Sequence, residues 1–326
     1  MKITVLSGGV GGARFISGLL AAAAPDDEIT VIGNTADDIW LFGLRVCPDL
    51  DTVMYTLGGG IDPERKWGRT DETWNAKDEL IAYGADRTWF GLGDRDLATH
   101  LVRTEMLRAG AGLAAATSRL CERWQPGVRL LPMTEDEVET HIAIDAPGDE
   151  GNLDVIHFQE YWIRLRAQVA VRDVIMRGAD TATAGPGVVD AIMSADRVVL
   201  PPSNPIVSTG AILAIAEIAD AVRSTPAPVV GVSPIIGGGA VRGMADQLLT
   251  GLGVELSASG VAGLLGARSG GGVLDGWLVD DSDADQLGAI EAGGLRGRAV
   301  PLYMTDDDTT AQLARDTLAL AAALAS

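Results

Sequence analysis

Short apolar runs of strand length recur along the chain, with helix-like patterns between many of them: "KITVL", "EITVIG", "RTWFGL", "DRVVL", "PVVGVS", "GWLVD" and "AVPLYM". Strands that alternate with helices build βαβ units, which bury a mainly parallel sheet under helices on both faces. The spacing therefore predicts a doubly wound α/β fold. In such sheets ligands bind beyond the carboxyl ends of the strands. Those ends read "SGGVGG", "NTADD", "GDRD", "PPSNP" and "SPIIGGG".

A chain of 326 residues can bury a large core, so the sequence predicts a single α/β domain spanning 1–326, Rossmann-like in its sheet. The pattern changes between about 129 and 195, where an acidic "MTEDEVET", a turn-rich "DAPGDEGN" and a basic amphipathic "FQEYWIRLRAQVAVRDVIM" read as an inserted smaller subdomain. "TTAQLARDTLALAAALAS" reads as a closing helix with Asp306, Asp307 and Asp308 at its acidic start.

The turn "LSGGVGGARF" sits between a β-branched run and a helical one. Glycines there let the backbone bend sharply and approach a ligand, and the free N–H groups of the following helix favour an anion. A dinucleotide fingerprint fails, because the sixth position counted from Gly9 is Arg14 and "EITVIGNT" ends in Asn34 and Thr35 rather than an acid. A Walker loop fails for want of G-K-[ST]. What remains is a phosphate turn with Arg14 as a charge partner, and "SPIIGGGAVRG" repeats the strand-then-glycine logic further on.

Asn34, Asp37, Asp38, Asp49, Asp51 and Asp62 lie within thirty residues in the most polar region of the chain. Carboxylates beside a phosphate turn are how proteins hold Mg²⁺, with water and substrate phosphates completing the shell. At least half of these aspartates must instead be caps or solvated loop residues. Four of the seven tryptophans, Trp40, Trp67, Trp74 and Trp89, fall within a fifty-residue window of the same region and offer a platform for a flat ring or, more simply, core packing. In "GLGDRDLATH", Arg95 is placed to grip a phosphate and an aspartate to accept a guanine edge, unless Asp96 merely caps a helix that carries His100.

Composition closes other routes. A formal net charge of −20 argues against nucleic acid or an anionic membrane as partner. Cys47 and Cys121 form no C-x-x-C, and His100, His141 and His157 lack metal-site spacing, which disfavours zinc or iron–sulfur. No Ser–His–acid or Cys–His set has a recognisable spacing, leaving positioning and metal electrostatics, as in phosphoryl chemistry. The amino terminus resembles neither a signal peptide nor a membrane span, so a cytoplasmic location is expected.

Together, "SGGVGGAR", "NTADDIWLFGLRVCPDLDTVMYTLGG", "RKWGRTDETW", "LGDRDLATH", "PPSNPIVS" and "SPIIGG" resemble the 2-phospho-L-lactate transferase family of deazaflavin coenzyme (F-420) biosynthesis, in order from residue 3 to about 245. Its actinobacterial phosphoenolpyruvyl/phospholactate transferases look most similar. The resemblance implies a Mg²⁺-dependent homodimer in which the ribityl hydroxyl of the deazaflavin Fo attacks the phosphorus of a guanosine diphosphate-linked phosphoenolpyruvyl or 2-phospho-L-lactyl donor, and GMP leaves.

Carried onto these residues, it implies that Ser7, Gly8, Gly9, Gly11, Gly12 and Arg14, with Asp94, Arg95, Ser203, Asn204, Gly237 and Gly238, bind the donor diphosphate and nucleotide. Asn34, Trp67, Thr73 and Trp74 would face the deazaflavin. Asp38, Asp49, Asp51 and Asp62 would serve catalysis, with Asp38 or Asp51 on Mg²⁺. Gly239 stands where many relatives carry lysine, so Arg242 or Arg14 would supply that cation. The alternative is a non-enzymatic nucleotide-sugar-binding regulator of the gluconeogenesis-factor type, which would need the glycine turns but not the acidic loops.

Overall fold

The computed structural model describes residues 1–146, 151–241 and 244–325. Seven strands form one sheet: β1 (Lys2–Ser7), β2 (Glu28–Gly33), β3 (Arg129–Pro132), β4 (Arg197–Leu200), β5 (Val229–Val232), β6 (Gly276–Val279) and β7 (Arg296–Ala299). They lie in the order β3-β2-β1-β4-β5-β6-β7, and every pair is parallel. The doubly wound α/β expectation is met, and the direction in which the sheet is wound reverses between β1 and β4.

Burial on both faces explains the unbroken apolar runs. Along β1, Ile3 and Val5 enter one core with Phe15, Ile16 and Leu19, while Leu6 enters the other with Ile32, Leu200 and Ile212. Helix α1 (Val10–Ala22) packs on the closing helix Asp307–Leu324, which starts with a capping box in which Asp306 accepts from Thr309 N–H at 2.8 Å. The two helices approach so closely that a Cβ on Gly18 would lie 2.5 Å from the backbone of Thr310. Gly18→Ala is expected to cost about 1–3 kcal/mol through overpacking. Urea unfolding checks this, and an unchanged midpoint would mean the two helices separate freely.

Three readings of the strands need correction. "RTWFGL" is no strand: Arg87 takes φ +64°, and Trp89, Phe90 and Leu92 pack instead on a hairpin made by Ile39–Leu41 and Leu44–Val46. "RLLP", read as the start of an insertion, is the edge strand β3, paired with β2 from Thr30↔Arg129 to Gly33↔Pro132; proline is tolerated there because an edge needs no further donor. The last strand covers only the first residue of "AVPLYM", since pairing ends at Val300 N–H on the Val279 carbonyl and Pro301 has no N–H to continue it.

Between β2 and β3 run the hairpin and helices α2 (Pro48–Leu57), α3 (Asn75–Ala82), α4 (Asp96–Arg108) and α5 (Leu113–Trp124). Between β3 and β4 lies a separate antiparallel sheet of Glu139–Asp145, Leu153–His157 and Val171–Arg177. Among the described residues no helix is long and apolar enough to cross a membrane.

Candidate active site

Because β1 and β4 head opposite windings of the sheet, a crevice opens beyond their carboxyl ends, where ligands of such folds bind. Three segments meet there. The glycine turn leaves β1, residues 201–208 leave β4, and the first turn of α2 comes in from the side. A Cβ on Gly9 would overlap Asp49 Oδ1, one on Gly8 Ser208 Oγ, one on Gly11 the Pro202 carbonyl and one on Gly12 Ser7 Oγ. Their φ angles are not positive. These glycines therefore serve close packing of protein on protein at the crevice, not an unusual backbone shape.

Asp49 lies at the amino-terminal end of α1. It accepts from the Gly9 N–H, and its Oδ2 accepts from Asn34 Nδ2 at 2.9 Å. Burial raises Asp49 to about 6, although the Asn34 and Gly9 hydrogen bonds favour the charged form. Asn34, expected on the deazaflavin, is fully buried and fully occupied: Nδ2 also reaches the Val207 carbonyl at 3.1 Å, and Oδ1 accepts from Ala36 N–H at 3.0 Å. It joins the three segments rather than facing a ligand.

Asp37 and Asp38 are also buried, and Asp37 Oδ1 and both Asp38 carboxylate oxygens have no hydrogen-bond partner. Burial and the neighbouring Asp49 charge push Asp37 well above the usual carboxylate range. Burial brings Asp38 to about 7 against the opposing charge of Arg45, whose Nη2 is 3.3 Å away. Carboxylate oxygens without hydrogen-bond partners, on neighbouring acids of which only Asp38 has a cation, Arg45, beside it, are a donor set that a divalent cation can use. Among the described residues no three His, Cys, Asp or Glu side chains converge tightly enough to hold an ion alone, so substrate oxygens would have to complete the shell.

Asp51 has a different role. Arg103 of α4, fully buried, donates from Nη1 to Asp51 Oδ2 at 3.1 Å and from Nη2 to Oδ1, taking both oxygens. Burial works against the Arg103 charge, and the Asp51 carboxylate more than offsets it, holding the guanidinium above its ordinary value. The same Nη1 reaches the Arg45 carbonyl at 3.3 Å, which ties α4 to both α2 and the hairpin. A metal on Asp51 would have to displace this pair.

Several other expected ligands are engaged in shaping loops. Asp62 accepts from the N–H groups of Glu64 and Arg65 at 2.9 and 2.8 Å and from Arg65 Nη2 at 2.8 Å. Asp94 caps α3, accepting from Thr73 Oγ1 at 2.6 Å and Ala76 N–H at 2.9 Å, and these bonds hold it down at about 2. Neither Asp94 nor Thr73 is therefore free to read a ring edge. Arg95 is exposed, 3.9 Å from Asp71, and Arg14 pairs with Asp307 at 3.1 Å. Asn204 Oδ1 closes its own loop on Ile206 and Val207 N–H at 3.0 and 3.2 Å, whereas buried Ser203 Oγ, beside Gly12, has no partner.

Trp67 and Trp74 do come together, but the Arg65 guanidinium lies over both rings, 5.2 and 5.0 Å from their centroids. Trp40 carries Arg45 at 5.7 Å. The second glycine turn differs from the first. Ile235–Ile236 and Gly239–Ala240 form a hairpin, with Gly237 and Gly238 at φ +59° and +79°, values that demand glycine. The Gly237 N–H donates to the Asp283 carboxylate at 2.9 Å, so an acid already faces it. Arg242 lies outside the described residues.

His157 stands behind the acidic loop. Its Nδ1 accepts from Gln159 N–H at 3.0 Å and its Nε2 donates to the Asp38 carbonyl at 3.2 Å, which requires the neutral ring. Burial pushes His157 down to about 4, against the pull of Glu139. A free imidazole titrates near 6.5. Stability from the neutral ring is therefore complete above pH about 6.5 and is lost as pH falls towards about 4, because only the unfolded chain takes up the proton in that window. Asp38 and Asp49, raised to about 7 and about 6, act in the opposite sense there. The difference between wild type and His157→Gln isolates the histidine: wild type should lose stability relative to the variant between pH 6.5 and 4, and parallel curves would remove the assignment.

The chain matches the family model for 2-phospho-L-lactate transferase CofD over residues 3–296. It is 59% identical to a phosphoenolpyruvate transferase of Kitasatospora aureofaciens over 98% of both chains. It is 58% identical to one of Streptomyces coelicolor, again over 98% of both, and 55% identical to one of Mycolicibacterium smegmatis over 98% of this chain and 99% of that one. A crystal structure of a UPF0052-family protein from Bacillus halodurans superposes with a TM-score of 0.65 at 16% identity, covering 97% of this chain and 99% of that one, a likeness of fold. A match of this length, over a fold whose switch point gathers the segments that suggested the family, shows that the chain belongs to the 2-phospho-L-lactate transferase family.

Proposed function

We propose that this protein transfers a phosphoenolpyruvyl or 2-phospho-L-lactyl group from a guanosine diphosphate-linked donor to the terminal ribityl hydroxyl of the deazaflavin Fo, with Mg²⁺. The hydroxyl oxygen releases its proton to solvent as it forms a bond to the phosphorus that bears the three-carbon acid. The bond from that phosphorus to the bridging oxygen breaks, and GMP departs with the electron pair. The observation that carries this reading is the meeting at the β1/β4 crevice of a helix amino terminus, bonded to Asp49, with Asp37 and Asp38, whose burial leaves Asp37 Oδ1 and both Asp38 carboxylate oxygens without a hydrogen-bond partner.

The α1 N–H groups would bind the donor diphosphate. Asp37, Asp38 and Asp49 would hold Mg²⁺, which when bound neutralises charge on the transferring phosphoryl group. Arg103, through Asp51, holds α2 so that Asp49 stays at the turn. Alignment of the hydroxyl with the leaving oxygen supplies most of what remains, since phosphoryl transfer asks chiefly for positioning and charge.

The decisive experiment mixes purified protein, Mg²⁺ and Fo with the enolpyruvyl or the lactyl guanosine donor and follows GMP by mass spectrometry. GMP release that requires Fo is expected, and the faster donor identifies the natural group. No release from either donor would overturn the proposal, and retained binding of a nucleotide sugar would then point to a regulator.

A further inference from the structure

The acidic loop is held at its main chain, and among its carboxylates by the Asp38–Arg45 ion pair at 3.3 Å. Three successive carbonyls each accept a hydrogen bond from the antiparallel sheet and the turn that follows its second strand: Ala36 O from Thr140 N–H at 2.6 Å, Asp37 O from Gln159 Nε2 at 3.2 Å, and Asp38 O from His157 Nε2 at 3.2 Å. Thr140 and Gln159 are buried. Over the same two aspartates, three of the four carboxylate oxygens have no hydrogen-bond partner.

This is the reverse of an aspartate that serves structure, as Asp62 and Asp94 do here by accepting backbone N–H groups. A short loop with buried acids would otherwise relax by turning its carboxylates towards donors or water, since a buried carboxylate oxygen without a hydrogen bond is costly, and Arg45 faces Asp38 alone. Fixing three consecutive peptide units removes that freedom, because each peptide plane determines where the next side chain starts. Gln159 is itself set by the sheet, its N–H donating to His157 Nδ1 at 3.0 Å, so both donors form one unit.

We infer that the inserted antiparallel sheet is a clamp that presents the Asp37 and Asp38 carboxylates to a divalent cation, with Gln159 and His157 as positioning residues acting through the loop backbone. The inference rests on the reading that these carboxylates hold the cation. It gives a task to the inserted segment, and it makes cation affinity depend on residues some 120 positions away in sequence.

The test uses the full chain with GDP and Mn²⁺ as probe, free Mn²⁺ being counted by electron paramagnetic resonance. Gln159→Leu and His157→Leu should each weaken Mn²⁺ about tenfold, with turnover depressed more at limiting than at saturating Mn²⁺. His157→Gln keeps an N–H donor and should recover most of the affinity lost in His157→Leu. Should Gln159→Leu fail to fold, the two His157 variants decide, and equal weakening in both would overturn the clamp. Mn²⁺ affinity within twofold of wild type in both leucine variants, with Asp37→Asn still weakening it, would also overturn the clamp. Unchanged affinity in Asp37→Asn and Asp49→Asn as well would overturn the reading beneath it.

Discussion

Asp49→Asn is expected to turn over at least a hundredfold more slowly than wild type while keeping a cooperative thermal transition within a few degrees. The carboxylate stands where α1 begins, bonded to the Gly9 N–H and to Asn34, in direct contact with the glycine turn. Removing a preorganised charge from such a site costs roughly 10²–10³ in rate. Stability should change little, because burial already disfavours the charged form, as its rise to about 6 reflects, and a neutral amide avoids that penalty. Measuring kcat for GMP release alongside the melting curve separates the two effects. Wild-type turnover would remove Asp49 from the chemistry.

The second large effect falls on folding. Arg103→Met should lower the unfolding free energy by about 3–5 kcal/mol, since it strands the Asp51 carboxylate in an interior where its partner occupied both oxygens. The Arg45 carbonyl and the His100 ring, 3.7 Å from Asp51, lose a neighbour in the same step. Replacing both members by apolar residues, Arg103→Met with Asp51→Leu, should restore most of the loss, because the penalty lies in the unpaired charge. Urea unfolding of both single variants and the double variant tests this. Additive losses would show that the pair does not interact as the geometry requires.

Much of the fold was legible because burial on both faces writes a parallel strand as an unbroken apolar run. That signal located β1, β2, β4, β5 and β6. It failed on "RTWFGL", where the same composition packs a satellite cluster beside a hairpin, and on "RLLP", too short to stand out and ending in proline. Periodicity alone cannot tell a short buried strand from another apolar segment. The first glycine turn was placed at the crevice, though its glycines answer to Asp49, Pro202 and Ser208 rather than to backbone strain. The second forms a tight hairpin, and consecutive glycines after a strand serve such a hairpin and an anion-binding loop equally well.

The acidic stretch shows why residue roles were harder to read than residue types. Six aspartates that look alike in sequence divide by what surrounds them: Asp62 and Asp94 accept loop N–H groups, Asp51 is closed by Arg103, Asp49 holds the glycine turn, and Asp37 and Asp38 keep carboxylate oxygens without a hydrogen-bond partner. Arg103 itself gave little sign beyond its i,i+3 spacing from His100 on one face of a helix.

What the sequence by itself determined was local: the strands of the sheet, the helix entered from a glycine turn, and a family resemblance carried by the order of its motifs. Only the tertiary structure decided which carboxylates are paired and which are free. That outcome depends on burial and on partners brought from 15 to more than 100 residues away, and a charge's ionisation is set by its surroundings in space, which no stretch of chain contains.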